Sequence, residues 1–168
     1  RNMKMNDSEA LDKYPQYRNW FNKLWFSMQM GYDCGPSGIP PSRDSYYIVR
    51  PIYNLSGMGV GAVKQFIKAG DVSQVPPGYF WCEWFEGKQY SATYGPFIHN
   101  ETGYWPQKHC FEGVTNQNSL SLFKSWHRVS TVPKLPRLLH LLSEIPEINV
   151  EFIDDKPIEV HLRGTPDP

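Results

Sequence analysis

The 168-residue chain has no surplus of either charge: 17 lysines and arginines stand against 17 aspartates and glutamates. A protein that lives on the phosphate backbone of nucleic acid usually carries a basic excess, so nucleic acid is not an expected partner. No apolar run approaches the roughly 18 residues that a membrane span requires, so no membrane association is expected. The opening residues, Arg1-Asn2-Met3-Lys4-Met5-Asn6-Asp7, lack the apolar stretch of a secretory signal. Cysteine is scarce. Cys34, Cys82 and Cys110 are odd in number and have no C-x-x-C spacing, which argues against a disulfide framework or a structural zinc site. A reducing, cytoplasmic setting follows as the expectation, and the sequons at Asn6, Asn54 and Asn100 then read as chance.

Aromatic residues and proline are abundant: six tryptophans, ten tyrosines, nine phenylalanines and 15 prolines. With 40% hydrophobic and 20% charged residues the chain is not a disordered tail. One domain's length of this size buries roughly 70% of its unfolded surface, enough for a core without staples.

Residues 1–14 are polar and read as a frayed end. Tyr17, Trp20, Phe21, Leu24, Trp25 and Met28 recur at three- and four-residue spacing, which predicts a helix over 15–30 ended by Gly31. Residues 31–45, with three glycines and three prolines, read as a loop. Strands are predicted over 46–51, 79–85 and 89–94, with a short helix over 62–69 closed by Gly70. Residues 95–134 show no clear period. The pattern Leu-Pro-Arg-Leu-Leu-His-Leu-Leu from Leu135 predicts a helix, followed by strands over 148–153 and 158–163. Strands and helices mix without strict βαβ alternation, which favours an α+β fold.

The last two strands carry the most informative pattern. Alternation puts Glu151 on the face opposite Val150 and Phe152, and puts Glu159, His161 and Arg163 together on one face of their own strand. If the connection between the strands has an odd number of residues, Glu151 and Glu159 share a face. Two carboxylates that close repel unless a cation lies between them, and Mg²⁺ held by carboxylates and substrate phosphates fits that description. The same residues also read as a solvated face balanced by Arg163 and Lys156. An even-length connection is expected to separate the acids and remove the metal reading.

Upstream, Gly57-Met58-Gly59-Val60-Gly61 lies between a strand and a predicted helix, where bare backbone N–H groups can approach a polyphosphate. No Gly-Lys-Ser/Thr follows, so this is not a Walker A loop. A loose G-x-G-x-x-A keeps a dinucleotide-binding turn open, with NAD preferred over ATP and Glu83 on a ribose hydroxyl, and a flexible turn is the third reading. Arg50 reads as a fixed cation for phosphate or as a surface ion-pair partner.

Taken together, these segments resemble the ATP-grasp superfamily, most closely the ATP-grasp halves of the carbamoyl-phosphate synthetase large chain. The likeness lies in Tyr47-Ile48-Val49-Arg50-Pro51 followed by Gly57-Met58-Gly59-Val60-Gly61-Ala62, in Glu83-Trp84-Phe85-Glu86-Gly87-Lys88-Gln89-Tyr90, and in the final pair Asn149-Val150-Glu151-Phe152 and Ile158-Glu159-Val160-His161-Leu162-Arg163. The three stretches cover about a third of the chain. The resemblance implies an α+β fold with a small lid bearing the glycine flap and an antiparallel core sheet with helices. It implies that Mg·ATP binds between them. It also implies three segments in one compact unit: 1–45 as helix and loop, 46–82 as lid, and 83–168 as core with the metal-site hairpin. The α/β domain that precedes these elements in the family is expected to be absent.

Site roles follow from the resemblance position by position. Arg50 would contact the ATP phosphates, under a flap formed by Gly57, Gly59 and Gly61. Glu83 would lie at the hinge near adenine or ribose, and Gln89 stands where an acid often lies near the ribose. Glu151 and Glu159 would hold Mg²⁺, and Arg163 would act with Arg50 on the transferring phosphoryl group. His161 stands where the family has asparagine, exchanging an oxygen ligand for nitrogen: it either lies behind the ligands or shifts the metal preference from Mg²⁺ toward Mn²⁺ or zinc. The implied activity is ATP-dependent ligation of a carboxylate to an amine or thiol through an acyl phosphate. The alternative is a non-catalytic nucleotide- or carbohydrate-binding module or subunit, with a homodimer or partner chain completing the site. Cys82 reads as a buried inert thiol. His99, His109, His127 and His140 have no nucleophile at useful spacing. Trp81, Trp84 and Phe85 wall an adenine pocket or fill the core.

Overall fold

A computed structural model describes residues 5–55, 61–115 and 123–164. The order is α1 (Asp7–Lys13), a 3-10 stretch (Pro15–Phe21), α2 (Lys23–Gln29), β1 (Cys34–Pro36), β2 (Ser45–Pro51), β3 (Val63–Ile67), β4 (Tyr79–Glu83), β5 (Gln89–Tyr94), β6 (Gln107–Thr115), β7 (Phe123–Val129), a 3-10 turn (Arg137–Leu142), β8 (Ile148–Ile153) and β9 (Lys156–His161). The chain divides into two compact units, one built around residues 17–86 and the other around 87–114 and the segment from 124 onward, with the N-terminal residues through Gln16. Each holds an antiparallel sheet: β1-β4-β2-β3 in the first and β7-β6-β5-β8-β9 in the second. Among the described residues no helix is long and apolar enough to cross a membrane.

In the first unit, alternation along β2 sends Tyr47 and Val49 inward, where they meet Ile67, Val75 and Trp81 in a buried cluster. Tyr47 and Trp81 stack edge to face with centroids 5.1 Å apart. Their polar ends are satisfied by the 37–44 loop, Tyr47 Oη donating to the Arg43 carbonyl (2.7 Å) and Trp81 Nε1 to that of Ile39 (2.7 Å). In the second unit, register puts Ala92 beside Val150 and Cys110, and Val150 beside Val160. All four are buried, with Phe152, Leu139 and Leu142.

Several elements differ from the sequence reading. Residues 62–69 contain the strand β3 instead of a helix. A helix that short leaves most of its backbone groups unbonded, whereas pairing Val63–Ile67 with Ser45–Val49 satisfies them. The 15–30 helix is broken at Asn22, whose Oδ1 accepts from Trp25 N (2.8 Å) and starts α2 afresh. The stretch before it is 3-10, with Tyr17 outside helical geometry. The leucine-rich segment is likewise a 3-10 turn, and residues 95–134 hold β6 and β7. The polar N-terminus is ordered too: Asn6 Oδ1 accepts from Glu9 N (2.8 Å) and caps α1.

One glycine is dictated by the second unit's packing. Gly95 has φ +133°, and a Cβ there would collide with the Pro146 carbonyl oxygen and lie 3.1 Å from Glu147 Cα. Gly95→Ala is expected to destabilise the protein by about 2–3 kcal/mol, lowering the melting midpoint by roughly 5–10 °C. A denaturant melt showing a loss below about 1 kcal/mol would contradict this packing.

Candidate metal centre

The candidate site is built on the β8–β9 hairpin, where a bulge decides everything. The connection is two residues long, Asp154-Asp155, because Ile153 pairs with Lys156. That even count alone would put Glu151 and Glu159 on opposite faces, as the sequence reading states. The register shifts between Glu151 and Phe152: Phe152 pairs with Pro157 and Glu151 with Glu159, leaving Ile158 as an extra residue on β9. One inserted residue reverses the face of everything beyond it. The expectation that an even connection separates the acids is thereby corrected. The tip is fixed by Asp154 at φ 52°, whose N–H donates to the Lys88 carbonyl (2.7 Å) and whose Oδ1 accepts from Lys88 N (2.9 Å).

Beyond the bulge, Glu151 opposes Glu159 and Asn149 opposes His161. Neighbouring β5 adds Gln89, Ser91 and Thr93 to this face, with Ser91 opposite Glu151 and Thr93 opposite Asn149. The buried Asn149 amide donates to Ser91 Oγ (3.0 Å) and the Ala92 carbonyl (3.1 Å), fastening β8 to β5 beside His161. Gln89 Nε2 donates to Glu151 Oε1 (3.3 Å), which leaves Oε2 toward the imidazole.

His161 lies at the centre. Its Nε2 is 2.8 Å from Glu151 Oε2 and 3.2 Å from Glu159 Oε2, and its Nδ1 is 3.2 Å from Asp7 Oδ1. Asp7 opens α1 and is almost wholly buried; Arg163 grips it through Nε to Oδ1 (2.8 Å) and Nη2 to Oδ2 (3.2 Å), while Nη1 donates to the Gly164 carbonyl. Burial opposes charge on His161, but bonds to Asp7, Glu151 and Glu159 outweigh it and raise its pKa well above the ordinary value. Burial and the neighbouring Glu159 charge raise that of Glu151. Asp7 is also penalised by burial, yet hydrogen bonds and charge from His161 and Arg163 hold it at about 2.

These residues suit a divalent ion. Glu151, Glu159 and His161 each offer one donor atom, all within 4.8 Å of one another. With His161 protonated, the cluster of Asp7, Glu151, Glu159, His161 and Arg163 keeps one net negative charge. A divalent ion beside a neutral imidazole brings the five groups to balance. Two carboxylate oxygens and an imidazole nitrogen are a donor set that Mn²⁺ accepts readily and Mg²⁺ accepts through its oxygens.

The second unit thus brings together Gln89, Glu151, Glu159, His161 and Arg163. Arg50, Gly61 and Glu83 belong to the first unit. Arg50 lies on β2 with its guanidinium 5.4 Å from the Phe80 ring centroid, and Gly61 takes φ +82° beside Pro51 and Tyr79. Glu83 ends β4, and its Oε2 accepts from Asp33 N (2.6 Å). Gly57 and Gly59 lie outside the described residues. Cys82 is buried, which pushes its thiol up to about 12. Trp81 fills the core, whereas Trp84 stands 4.5 Å from Lys64 Nζ and donates to Glu86 (2.8 Å). Asp7 is the residue the sequence reading missed. Its signal was the capping pattern Asn6-Asp7-Ser8-Glu9, which starts a helix where a frayed end was expected.

No protein-family model matches the chain, and no curated protein matches it. Among solved structures it is similar to an L-amino acid ligase from Bacillus licheniformis, with 12% identity and a TM-score of 0.54 over 86% of this chain and 41% of the ligase. It is also similar to a protein described as belonging to the ATP-grasp superfamily from Archaeoglobus fulgidus, with 15% identity and a TM-score of 0.48 over 88% and 47% of the two chains. The chain therefore spans less than half the length of either structure. At these identities the likeness to the ligase speaks to fold alone: the protein is α+β, with two antiparallel sheets among the described residues and few helices.

Proposed function

We propose that the chain binds a divalent-metal complex of ATP and acts in ATP-dependent ligation of a carboxylate to an amine or thiol. The observation that carries this reading is the opposed pair Glu151 and Glu159 beside His161, on the same sheet face as Gln89. The fold likeness to the L-amino acid ligase supports it, and so does the resemblance of the motifs to the ATP-grasp halves of carbamoyl-phosphate synthetase. Glu151, Glu159 and His161 would hold the ion, Mg²⁺ or Mn²⁺, which when bound offsets the negative charge of the triphosphate. Gln89 fixes the second oxygen of Glu151.

In the reaction a substrate carboxylate oxygen attacks the γ-phosphorus, and the bond to the β–γ bridging oxygen breaks, giving an acyl phosphate and ADP. The amine or thiol then displaces inorganic phosphate and loses a proton. A second reading, nucleotide binding without transfer, is favoured by the commitment of Arg163 to Asp7 and Gly164 instead of an open approach to phosphate.

Product analysis separates the two. With Mn·ATP or Mg·ATP and a panel of amino acids, the ligase reading expects ADP and phosphate in equal amounts, dependent on both a carboxylate and an amine. Bound nucleotide recovered intact with every acceptor pair would leave only the binding reading, and no retained nucleotide would overturn both.

A further inference from the structure

Asp7 reaches the candidate centre from a different element, 154 residues away in sequence, and touches the ring nitrogen of His161 that faces away from the two glutamates. A carboxylate accepts hydrogen bonds and donates none, so the Asp7–His161 contact requires the hydrogen on Nδ1. In a neutral ring that leaves the lone pair on Nε2, the atom directed at Glu151 Oε2 and Glu159 Oε2. Carboxylate to Nδ1–H and Nε2 toward the ion is the arrangement that orients histidine ligands and raises their basicity. The orienting carboxylate is itself held: both its oxygens are bonded by Arg163, and helix α1 carries it with its own cap in place.

We infer that Asp7 is a positioning residue that presents His161 Nε2 as a nitrogen ligand, so that the centre selects a nitrogen-accepting divalent ion, with manganese as its probe, over magnesium. This rests on the proposed metal reading of Glu151 and Glu159 and adds the identity of the ion and the residue that sets it. Magnesium favours an all-oxygen octahedron and gains little from imidazole, whereas manganese accepts one. The preference therefore resides in His161 and, through it, in Asp7.

The test is equilibrium binding of Mn²⁺ and Mg²⁺, followed by electron spin-echo spectroscopy of bound Mn²⁺, with circular dichroism confirming that each variant is folded. The wild type is expected to show ¹⁴N modulation from one imidazole. Its Mn²⁺-to-Mg²⁺ affinity ratio is expected to exceed that of His161→Asn at least tenfold, and the ¹⁴N signal should vanish in that variant. Asp7→Asn is expected to keep the signal, lose about 10- to 100-fold in Mn²⁺ affinity and lose less for Mg²⁺. A merely structural role for Asp7 would lower both affinities alike and leave the ratio fixed.

Metal binding that is lost in Glu159→Gln, but with no ¹⁴N signal or with the same ratio in wild type and His161→Asn, would overturn this inference and leave the metal reading standing. Binding of neither ion by the wild type would overturn both.

Discussion

Glu159→Gln is expected to reduce divalent-ion affinity on the order of a hundredfold, about 2.8 kcal/mol, while the protein stays folded. The substitution keeps the shape of the side chain and removes one of the two opposed charges. Without an ion that charge meets two opposed influences: Glu151 sits directly opposite and is raised by burial and by the Glu159 charge, whereas His161 Nε2 lies 3.2 Å from Glu159 Oε2 and draws it in. The variant loses that repulsion and that attraction together, so the apo melting point is expected to change little. Calorimetric titration with Mn²⁺ and Mg²⁺, beside a thermal melt of each form, checks both halves. Wild-type affinity in the variant would contradict the assignment of Glu159. A melt that falls by many degrees would mean that the carboxylate holds the hairpin and not an ion.

Arg163→Met is expected to cost about 3–5 kcal/mol of stability, a large share of what a single domain possesses. Arg163 makes two bonds to the Asp7 carboxylate, which is 5% exposed and cannot turn to water for replacement partners. Much of the loss is the cost of leaving Asp7 charged and only half paired. The double variant Asp7→Asn/Arg163→Met should therefore recover most of it, a coupling that a denaturant double-mutant cycle measures.

Asp7, held charged by His161 and then by Arg163, also sets a pH dependence. The folded pKa of Asp7, about 2, is depressed below its ordinary 3.8. Its stabilisation of about 2–3 kcal/mol is therefore complete above pH 3.8 and lost as pH falls through 2. Asp7→Asn should show no such loss across that window. Equal slopes for wild type and variant would contradict the holding of Asp7 by His161 and Arg163.

Much of the site could be read from alternation. Val150 and Phe152 against Glu151, and Val160 and Leu162 against Glu159, His161 and Arg163, mark an inner and a polar face that strand geometry enforces. What alternation could not supply was the pairing between strands. That depends on a two-residue tip and an extra residue at Ile158, and nothing in Asp154-Asp155-Lys156-Pro157-Ile158 announces a bulge. Asp7 is hidden from composition because a short polar segment reads as a frayed end, and only the cap that Asn6 places on Glu9 N marks it as a helix start. Strand β3 was missed for the opposite reason: Val63, Phe66 and Ile67 satisfy helical spacing, and only pairing with β2 decides their conformation. The tryptophans divide in the same way. Trp81 is fixed in the core by the Ile39 carbonyl, whereas Trp84, three residues on, engages Lys64 and Glu86.

The role proposed for the acid pair and His161 is to hold a metal–nucleotide complex. A thermal shift of the intact chain tests it most directly, comparing ATP with Mn²⁺ or Mg²⁺, ATP with a chelator, and each metal alone. At ligand a hundred times its dissociation constant, binding stabilises by about 2.7 kcal/mol, which raises the midpoint of a chain this size by roughly 5–10 °C. The expected result is a rise that needs ATP and metal together and disappears in Glu159→Gln. A rise with ATP that survives the chelator, or no rise under any condition, would contradict the claim.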